Sequence, residues 1–505
     1  MKVDCLVVID EGTTSTRVSA ITPQGDVVAE SRRSLDVSYP RPGWVEQDAH
    51  EIWEKTHEAL VDVVQSLEKE GSYAIAGLCI SNQRETTVMW DRRTGRAVHP
   101  AVVWQCRRTA DVCHQLKERG HEPEVVEKTG LPIDPYFSGT KMAWLLDHVE
   151  GAREKAERGD YLLGTVDTWL LYNLTGGAAF QTDLTNASRT QLLNIETLQW
   201  DSDLCLLFGV PVNALAEVRP SGDRFGVTRS VASVPDGIPI VSMIGDSQAA
   251  LFGETAFLPG MAKATYGTGT SVMINTGAAP VRAEGGLATA IAWQVGDEVT
   301  YAIEGIIHTT GAAINWLKDG VMLIEESGET ERLARSVEDT GGVYFVPAFT
   351  GLGTPWWDAD ARGLLIGITA GTRREHIVRA ALDAIALQVY DVFATLPQGV
   401  VPADQPVFCG GGASRNAYLM QLQADLLDRP VVTCSNPEAS SFGAAFIGGL
   451  TVGLWQREDL VRIHDALVEQ RYEPRRDKAE VGRLVQGWHE AVRRAAGWAA
   501  HIAPQ

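Results

Sequence analysis

Asp10 ends the apolar run Leu6 to Ile9 and is followed by Glu11-Gly12-Thr13-Thr14-Ser15-Thr16, after which Arg17 to Ile21 alternates again. These spacings predict a strand, a turn of glycine and hydroxyls, and a returning strand. Gly12 allows a ligand close to the backbone, and successive hydroxyl and N–H groups in such a turn form a concavity for an anion. A phosphate suits it. A carboxylate at position 10 would repel that phosphate by roughly 4 kcal/mol at an effective dielectric of about 20, so the pair calls for a divalent cation between them, such as oxygen-seeking Mg²⁺. The same residues also fit an ordinary hairpin with a polar turn.

Further residues carry other chemistry. Arg84 and Glu85 lie in Ser81 to Thr87, a polar segment directly after the apolar strand Ala74 to Ile80. A guanidinium donates and a carboxylate accepts, so the pair could hold vicinal hydroxyls of a polyol; a surface ion pair has the same sequence. Trp104 and Tyr136 could wall a polyol pocket, since aromatic faces cover C–H surface, or lie in the core. Asp246 follows the buried-type strand Ile238 to Ile244 at the start of a helix. There it is either an N-cap or a general base at the carboxyl end of a strand. Gly245-Asp-Ser-Gln-Ala249 also comes within one residue of the Gly-x-Ser-x-Gly elbow, which makes Ser247 a rival nucleophile for a serine hydrolase.

The elements that must position these residues repeat along the chain. Asp48-Ala-His-Glu51 reads as a capping box before a helix with Trp53, Leu60, Val64 and Leu67 on one face. Asp134 to Lys141 opens a helix with Met142, Leu145 and Leu146 on its apolar side. Met261 to Tyr266, the turn Gly267-Thr-Gly-Thr270 and Ser271 to Asn275 then repeat the opening strand, turn and strand. The chain therefore reads as two copies of one plan, with domains 1–253 and 254–505 facing a cleft. Gly305 to Leu317 predicts a turn and helix start, and Thr372-x-x-Glu375 a second capping box before a long helix through Tyr390. Pro406 to Cys409 runs into Gly410-Gly-Gly-Ala-Ser-Arg-Asn416 and a helix, which fits either a nucleotide site at a helix N-terminus or plain turn chemistry. No Gly-x4-Gly-Lys-[Ser/Thr] loop, complete Gly-x-Gly-x-x-Gly or protein-kinase catalytic loop occurs. Any use of ATP must pass through the duplicated hairpins.

Composition bounds the rest. A chain of 505 residues exceeds a single core, and 45% apolar with 22% charged residues is the balance of a folded globular protein. A net charge of -21 without a long basic run argues against nucleic acid and anionic membrane as partners. The N-terminus has no signal-type apolar segment and no stretch is long enough to span a bilayer, which predicts a cytoplasmic protein. Seven scattered cysteines without a C-x-x-C pair predict reduced thiols.

Together these stretches resemble the FGGY carbohydrate kinases, closest to the members that phosphorylate glycerol. The resemblance runs from Val7 to about Trp455 and rests on Asp10 to Arg17, Pro42-Gly-Trp-Val-Glu46, Asn82 to Thr87, Trp104 to Thr109, Asp134 to Lys141, Gly164 to Trp169, Thr185 to Thr190, Tyr266 to Gly269 and Val346 to Gly353. It implies an α/β, duplicated actin-like (ribonuclease-H-like) ATPase fold with two domains around a cleft. It further implies a polyol kinase using ATP and Mg²⁺, and a homo-oligomer, dimer or tetramer. Carried over residue by residue, Thr13, Thr14 and Ser15 match the phosphate-binding turn with Arg17 beside it, and Asp10 is oriented to Mg²⁺. Arg84, Glu85, Trp104, Tyr136 and Asp246 match the polyol-binding positions, Asp246 in the place of the catalytic base. Thr268, Gly311, Gly412 and Asn416 match nucleotide contacts, with Asn315 where the family commonly has glutamine.

Two departures fall in the acceptor pocket: Ser247 replaces the usual glutamine and Ser271 the usual phenylalanine. Both shrink a side chain, and the second swaps an apolar wall for a hydroxyl, so these departures predict a wider, wetter pocket in which a longer polyol, of four or five carbons such as erythritol or a pentitol, is turned over at least as well as glycerol. A non-catalytic actin-like sugar sensor could keep both hairpins but has no use for Arg84, Glu85 and Asp246 together. A hydrolase using Ser247 lacks any locally spaced histidine and acid.

Overall fold

Cys5 to Ile9 are wholly buried on both faces of strand β1 (Val3–Glu11), as in strands covered by helices on either side. β1 turns antiparallel into β2 (Ser15–Ile21), and β2 into β3 (Val27–Ser34). Helix α1 (Ala49–Glu70) buries Ile52, Leu60, Val64 and Leu67 at helical spacing and returns the chain to β4 (Tyr73–Asn82), parallel to β1. A further helix, α2 (Ser138–His148), follows the Asp134 turn. β5 (Gly226–Val227) and β6 (Pro239–Gly245) complete a six-stranded sheet in the order β5-β6-β4-β1-β2-β3, with β6 parallel to β4. The computed structural model describes residues 2–501 except 283, 284, 398, 401, 403, 436 and 437.

Helix α3 (Asp246–Gly253) leads into the second sheet. Its strands are β7 (Ala262–Tyr266), β8 (Thr270–Gly277), β9 (Ala288–Val295), β10 (Glu298–Ile307), β11 (Val407–Gly411), β12 (Val431–Cys434) and β13 (Val468–Tyr472). They lie in the order β9-β10-β8-β7-β11-β12-β13. Within it, β10-β8-β7-β11-β12 repeats β3-β2-β1-β4-β6: three antiparallel strands, then two parallel ones. The duplicated α/β fold expected from the sequence is present.

Between and beside these strands run α4 (Gly311–Asn315), α5 (Arg374–Ala394), α6 (Ala417–Leu427), α7 (Ala439–Val452) and α8 (Arg457–Leu467). α7 packs on β1, β4 and β6 of the first sheet, while α3 packs on β7 and β8 of the second. One apolar cluster accordingly joins Leu6 and Val8 to Met273, Phe408 and Phe446.

Three local expectations are corrected. Asp48 does cap α1, accepting the His50 N–H at 2.8 Å, but Glu51 accepts the Asp36 N–H at 3.3 Å instead of closing a box. At α5 the box is not formed by Thr372 and Glu375: the helix starts at Arg374, the Arg373 N–H donates to His376 Nδ1 at 3.0 Å, and the Thr372 hydroxyl accepts from Thr369 N–H. The turn expected at Gly305 comes later, because Gly305 to Ile307 still pair with Thr270 to Val272 of β8 and the sheet ladder outcompetes the turn. All seven cysteines are free thiols, six of them buried. Among the described residues no helix is long and apolar enough to cross a membrane.

Candidate active site

The β1–β2 turn is fixed from below and open above. Gly12 N–H bonds Ser15 O at 3.0 Å. Gln83 Nε2 donates to Gly12 O at 3.1 Å, Gln47 Nε2 to Thr13 O at 2.7 Å, and Trp104 Nε1 to the Thr13 hydroxyl at 2.9 Å. Ser15 accepts from Arg32 at 3.0 Å, while Thr14 stays exposed at the crest. Arg17 lies beside the turn as expected, but its guanidinium is ion-paired with Glu438.

Asp10, the penultimate residue of β1, faces the first turn of α7. Its Oδ2 accepts the hydroxyls of Ser440 at 2.7 Å and Ser441 at 3.0 Å. Its charge also reaches Asp246, whose carboxyl is raised chiefly by burial among the surrounding protein and further by Asp10, against the lowering pull of Arg84. A strand-end carboxylate ringed by hydroxyl oxygens, as Asp10 is, offers the hard oxygen donors that Mg²⁺ takes.

Asp246 begins α3 one residue after β6, and Gly245 rather than Asp246 is the N-cap. Its side chain is 43% exposed to the cleft and its Oδ1 lies 3.4 Å from Arg84 Nε. The Gly245 N–H donates to the Thr185 hydroxyl at 2.8 Å, and that hydroxyl in turn bonds the buried Asp183 carboxylate. This chain fixes the strand end from which Asp246 projects.

Arg84 and Glu85 are not a surface pair. Arg84 is 4% exposed and donates to Glu304 Oε1 at 2.7 Å and Gln248 Oε1 at 3.0 Å. Glu85 accepts from Arg189 Nε at 2.6 Å, and its backbone is left-handed, with φ of 60°. A non-glycine residue held there costs of order 1 kcal/mol or more, a strain that gathers at functional sites. Arg189 also lies 2.7 Å from Glu304 Oε2. Burial alone would raise the Glu304 carboxyl, but Arg189 and Arg84 outweigh it and hold it at about 2. Burial raises Glu85 despite the same two guanidiniums.

Trp104 and Tyr136 stand beside this network with ring centroids 5.4 Å apart, edge to face. The buried Lys141 amine of α2 donates to the carbonyls of Pro135, Tyr136 and Phe137 at 3.0, 2.5 and 2.8 Å, which fixes the Tyr136 turn. Both rings are partly exposed, as a pocket wall requires.

In the second hairpin Gly267 and Thr268 are exposed, and their carbonyls accept from Gly311 at 3.0 Å and from Thr310 at 2.9 Å. A Cβ on Gly311 would lie 2.6 Å from Gly267 O, so glycine is required for this approach. A Cβ on Gly412 would meet nothing within 4 Å, which leaves open space above it. Asn416 caps α6, accepting from Leu419 N–H at 3.0 Å and donating to Thr330 at 3.1 Å. Asn315 is exposed at the end of α4.

Of the two small pocket residues, Ser247 is half-buried, and its hydroxyl makes no hydrogen bond to a histidine among the described residues. Ser271 donates to Glu304 Oε1 at 3.2 Å and accepts from Lys263 Nζ at 3.3 Å, so its hydroxyl is tied into the ion network. Sequence reasoning missed Lys263, Arg189 and Glu304. A signal was present: Glu304 interrupts the apolar run Tyr301 to Ile307, and Lys263 is the one charge in the short strand Ala262–Tyr266, where a buried charge needs a partner. Burial lowers the Lys263 amine to about 8 against the pull of Glu304.

The model of the FGGY family of carbohydrate kinases, N-terminal domain, matches residues 5–253, and that of the C-terminal domain residues 262–452. Glycerol kinase 2 of Thermotoga maritima is 48% identical over 494 residues, 97% of this chain and 98% of that protein. The glycerol kinase of Caldanaerobacter subterraneus is 47% identical over 498 residues, 98% and 99% of the two chains. The crystal structure of Plasmodium falciparum glycerol kinase with ADP superposes with a TM-score of 0.92 at 33% identity, covering 100% of this chain and 99% of that one. Gluconate kinase from Lactobacillus acidophilus shares the fold at a TM-score of 0.89 and 21% identity, with 99% and 100% of the two chains covered.

Proposed function

The chain belongs to the FGGY family of carbohydrate kinases, and from that membership we propose that it transfers the γ-phosphoryl group of ATP to a terminal hydroxyl of glycerol, giving glycerol 3-phosphate and ADP. The acceptor is drawn from relatives named glycerol kinase at 48% and 47% identity over nearly the whole chain. The observation that carries the chemistry is Asp246: a carboxylate at a strand end, open to the cleft, with a buried guanidinium 3.4 Å away.

In a loose phosphoryl-transfer transition state the protein chiefly aligns the alcohol and balances charge. Arg84 and Glu85 orient the acceptor hydroxyls, with Trp104 and Tyr136 against its C–H faces. Asp246 accepts the hydroxyl proton late, because a carboxyl far more acidic than an alcohol cannot remove that proton first. Thr13, Thr14 and Ser15 receive the transferred phosphoryl, and Arg17 adds positive charge beside them. Asp10 would hold Mg²⁺, which when bound neutralises the phosphate oxygens. Thr268, Gly311, Asn315, Gly412 and Asn416 face the nucleotide. In this reading residues 1–253 carry the acceptor and phosphate contacts and 254–505 the nucleotide contacts, residues 502–505 lying outside those described. The same reading puts the enzyme in the cytoplasm as a dimer or tetramer, which light scattering tests.

A longer polyol finds its support in the small side chain of Ser247; the Ser271 hydroxyl is already committed to Glu304 and Lys263. ADP release with glycerol, erythritol and pentitols compared by kcat/KM decides. Glycerol is expected to lead, and absence of turnover with glycerol would overturn the proposal.

A further inference from the structure

Outside the phosphoryl-transfer cleft, three separate segments bring a carboxylate, a thiol and an imidazole to one point. Glu254 is the C-cap of α3, Cys434 ends β12, and His464 lies in α8. His464 Nε2 is 3.0 Å from Glu254 Oε2; Cys434 Sγ is 3.5 Å from that oxygen and 3.3 Å from the imidazole nitrogen. Glu254 and His464 are no more than 6% exposed, while Cys434 is only half-buried, so solvent reaches the cluster at the sulfur.

A tetrahedral zinc ion with bonds of roughly 2.0–2.3 Å sets its ligands roughly 3.4–3.6 Å apart. The observed edges of 3.0, 3.3 and 3.5 Å are within a few tenths of an ångström of that figure. We propose that Glu254, Cys434 and His464 form a site for one thiophilic divalent cation, zinc, with water at the fourth position. A mixed sulfur, nitrogen and oxygen set selects zinc over magnesium or calcium, which take oxygen ligands. Binding converts the Cys434 thiol to a zinc thiolate and releases its proton to solvent; the imidazole ligates in its neutral form. Without a cation the three groups satisfy one another by hydrogen bonds.

The position gives the site a consequence. α3 begins with Asp246, and the segment after Cys434 leads to α7, whose Ser440 and Ser441 hold Asp10. A cation here would tie the end of α3, the helix that begins with Asp246, to β12 and α8.

The test uses the full chain, stripped by a chelator, dialysed, and titrated with Zn²⁺ against a chromophoric chelator and with Co²⁺ in parallel. One zinc per chain is expected, together with a thiolate-to-cobalt charge-transfer band and strong tetrahedral d–d absorption. Cys434→Ser and His464→Asn should each weaken zinc at least 100-fold and abolish the charge-transfer band. Should either variant fold poorly, the wild-type protein still decides: Zn²⁺ should slow alkylation of Cys434, followed by mass spectrometry, at least tenfold. Sub-stoichiometric zinc, binding unchanged in both variants, or an unaltered alkylation rate would each overturn the site. None of these readouts depends on kinase activity.

Discussion

Glu11 neighbours Asp10 in β1 yet points inward, where Thr56 donates to one carboxylate oxygen at 2.8 Å and the other oxygen has no partner. Burial raises its carboxyl to about 8, with Asp10 adding to the rise against hydrogen bonds from Thr16 and Thr56. The folded chain thus holds a proton that the unfolded chain loses near pH 4.5, and stability falls as pH rises from about 4.5 through about 8. Glu11→Gln should flatten that slope, so that urea unfolding favours the variant by about 2–4 kcal/mol more at pH 8 than at pH 5; parallel pH curves would refute it. Asp246 makes a different demand, since its work needs the ionised form. Asp246→Asn should fold and bind ATP while losing about 10²–10⁴-fold in kcat, and near-normal turnover would remove it from the base role. Asp10, Arg84, Glu85 and Asp246 were legible because each closely follows an apolar strand, where α/β sheets present side chains to a cleft. Arg189 was not, because nothing in Thr185 to Thr190 distinguishes a turn that reaches Glu85 from one that faces solvent.

At the scale of elements, both hairpins could be read from glycine and hydroxyl turns between apolar runs, but the contact of α3 with α7 could not. A Cβ on Gly443 would lie 1.8 Å from the Ala249 carbonyl oxygen, and one on Gly253 would lie 2.1 Å from that of Ala439. The two backbones touch, and that contact sets both Asp246 and the serines that hold Asp10. In the sequence Gly443 is one glycine among several in an apolar helix, and only the partner helix makes it special. Intrinsic propensity favours alanine over glycine in a helix by about 1 kcal/mol, whereas overpacking against backbone costs about 1–3 kcal/mol and more when neither side can yield. Gly443→Ala should therefore lower the urea midpoint and cut turnover. Gly482, in the helix Lys478–Ala495, provides the control, since its Cβ would meet nothing within 4 Å. Gly482→Ala should stabilise by about 0.5–1 kcal/mol, and equal effects at the two sites would refute the contact argument. The capping boxes failed for a related reason: Glu51 and Thr372 found hydrogen bonds outside their own helices, a competition that local sequence does not record.

Across the whole molecule, the two sheets meet through charge as well as apolar packing. Arg84, Glu85 and Arg189 come from the first half of the chain, Lys263 and Glu304 from the second, and Asp246 from the helix between them. Three cations thus balance three carboxylates, and Glu304 is the hinge of the balance, touching Arg84 at 2.7 Å, Arg189 at 2.7 Å and Ser271 at 3.2 Å while wholly buried. Such a network adds little net stability when intact, because desolvation offsets attraction, but removing one partner strands the others. Glu304→Gln leaves two buried guanidiniums short of one negative charge, and the expected loss at pH 7 is about 3–5 kcal/mol. The sign of its pH dependence follows from a carboxyl held at about 2 in the folded chain against an ordinary value of 4.5. The stabilisation is present above about pH 4.5 and is lost as pH falls through about 2. Wild type and variant should therefore differ most in urea midpoint at neutral pH and converge as pH drops from about 4.5 towards 2. Arg84 would at the same time lose the contact that holds it against Asp246, so KM for the acceptor should rise even in variant protein that remains folded. Equal midpoints at pH 7, or a gap that widens in acid, would mean that the sheets are held by apolar packing alone.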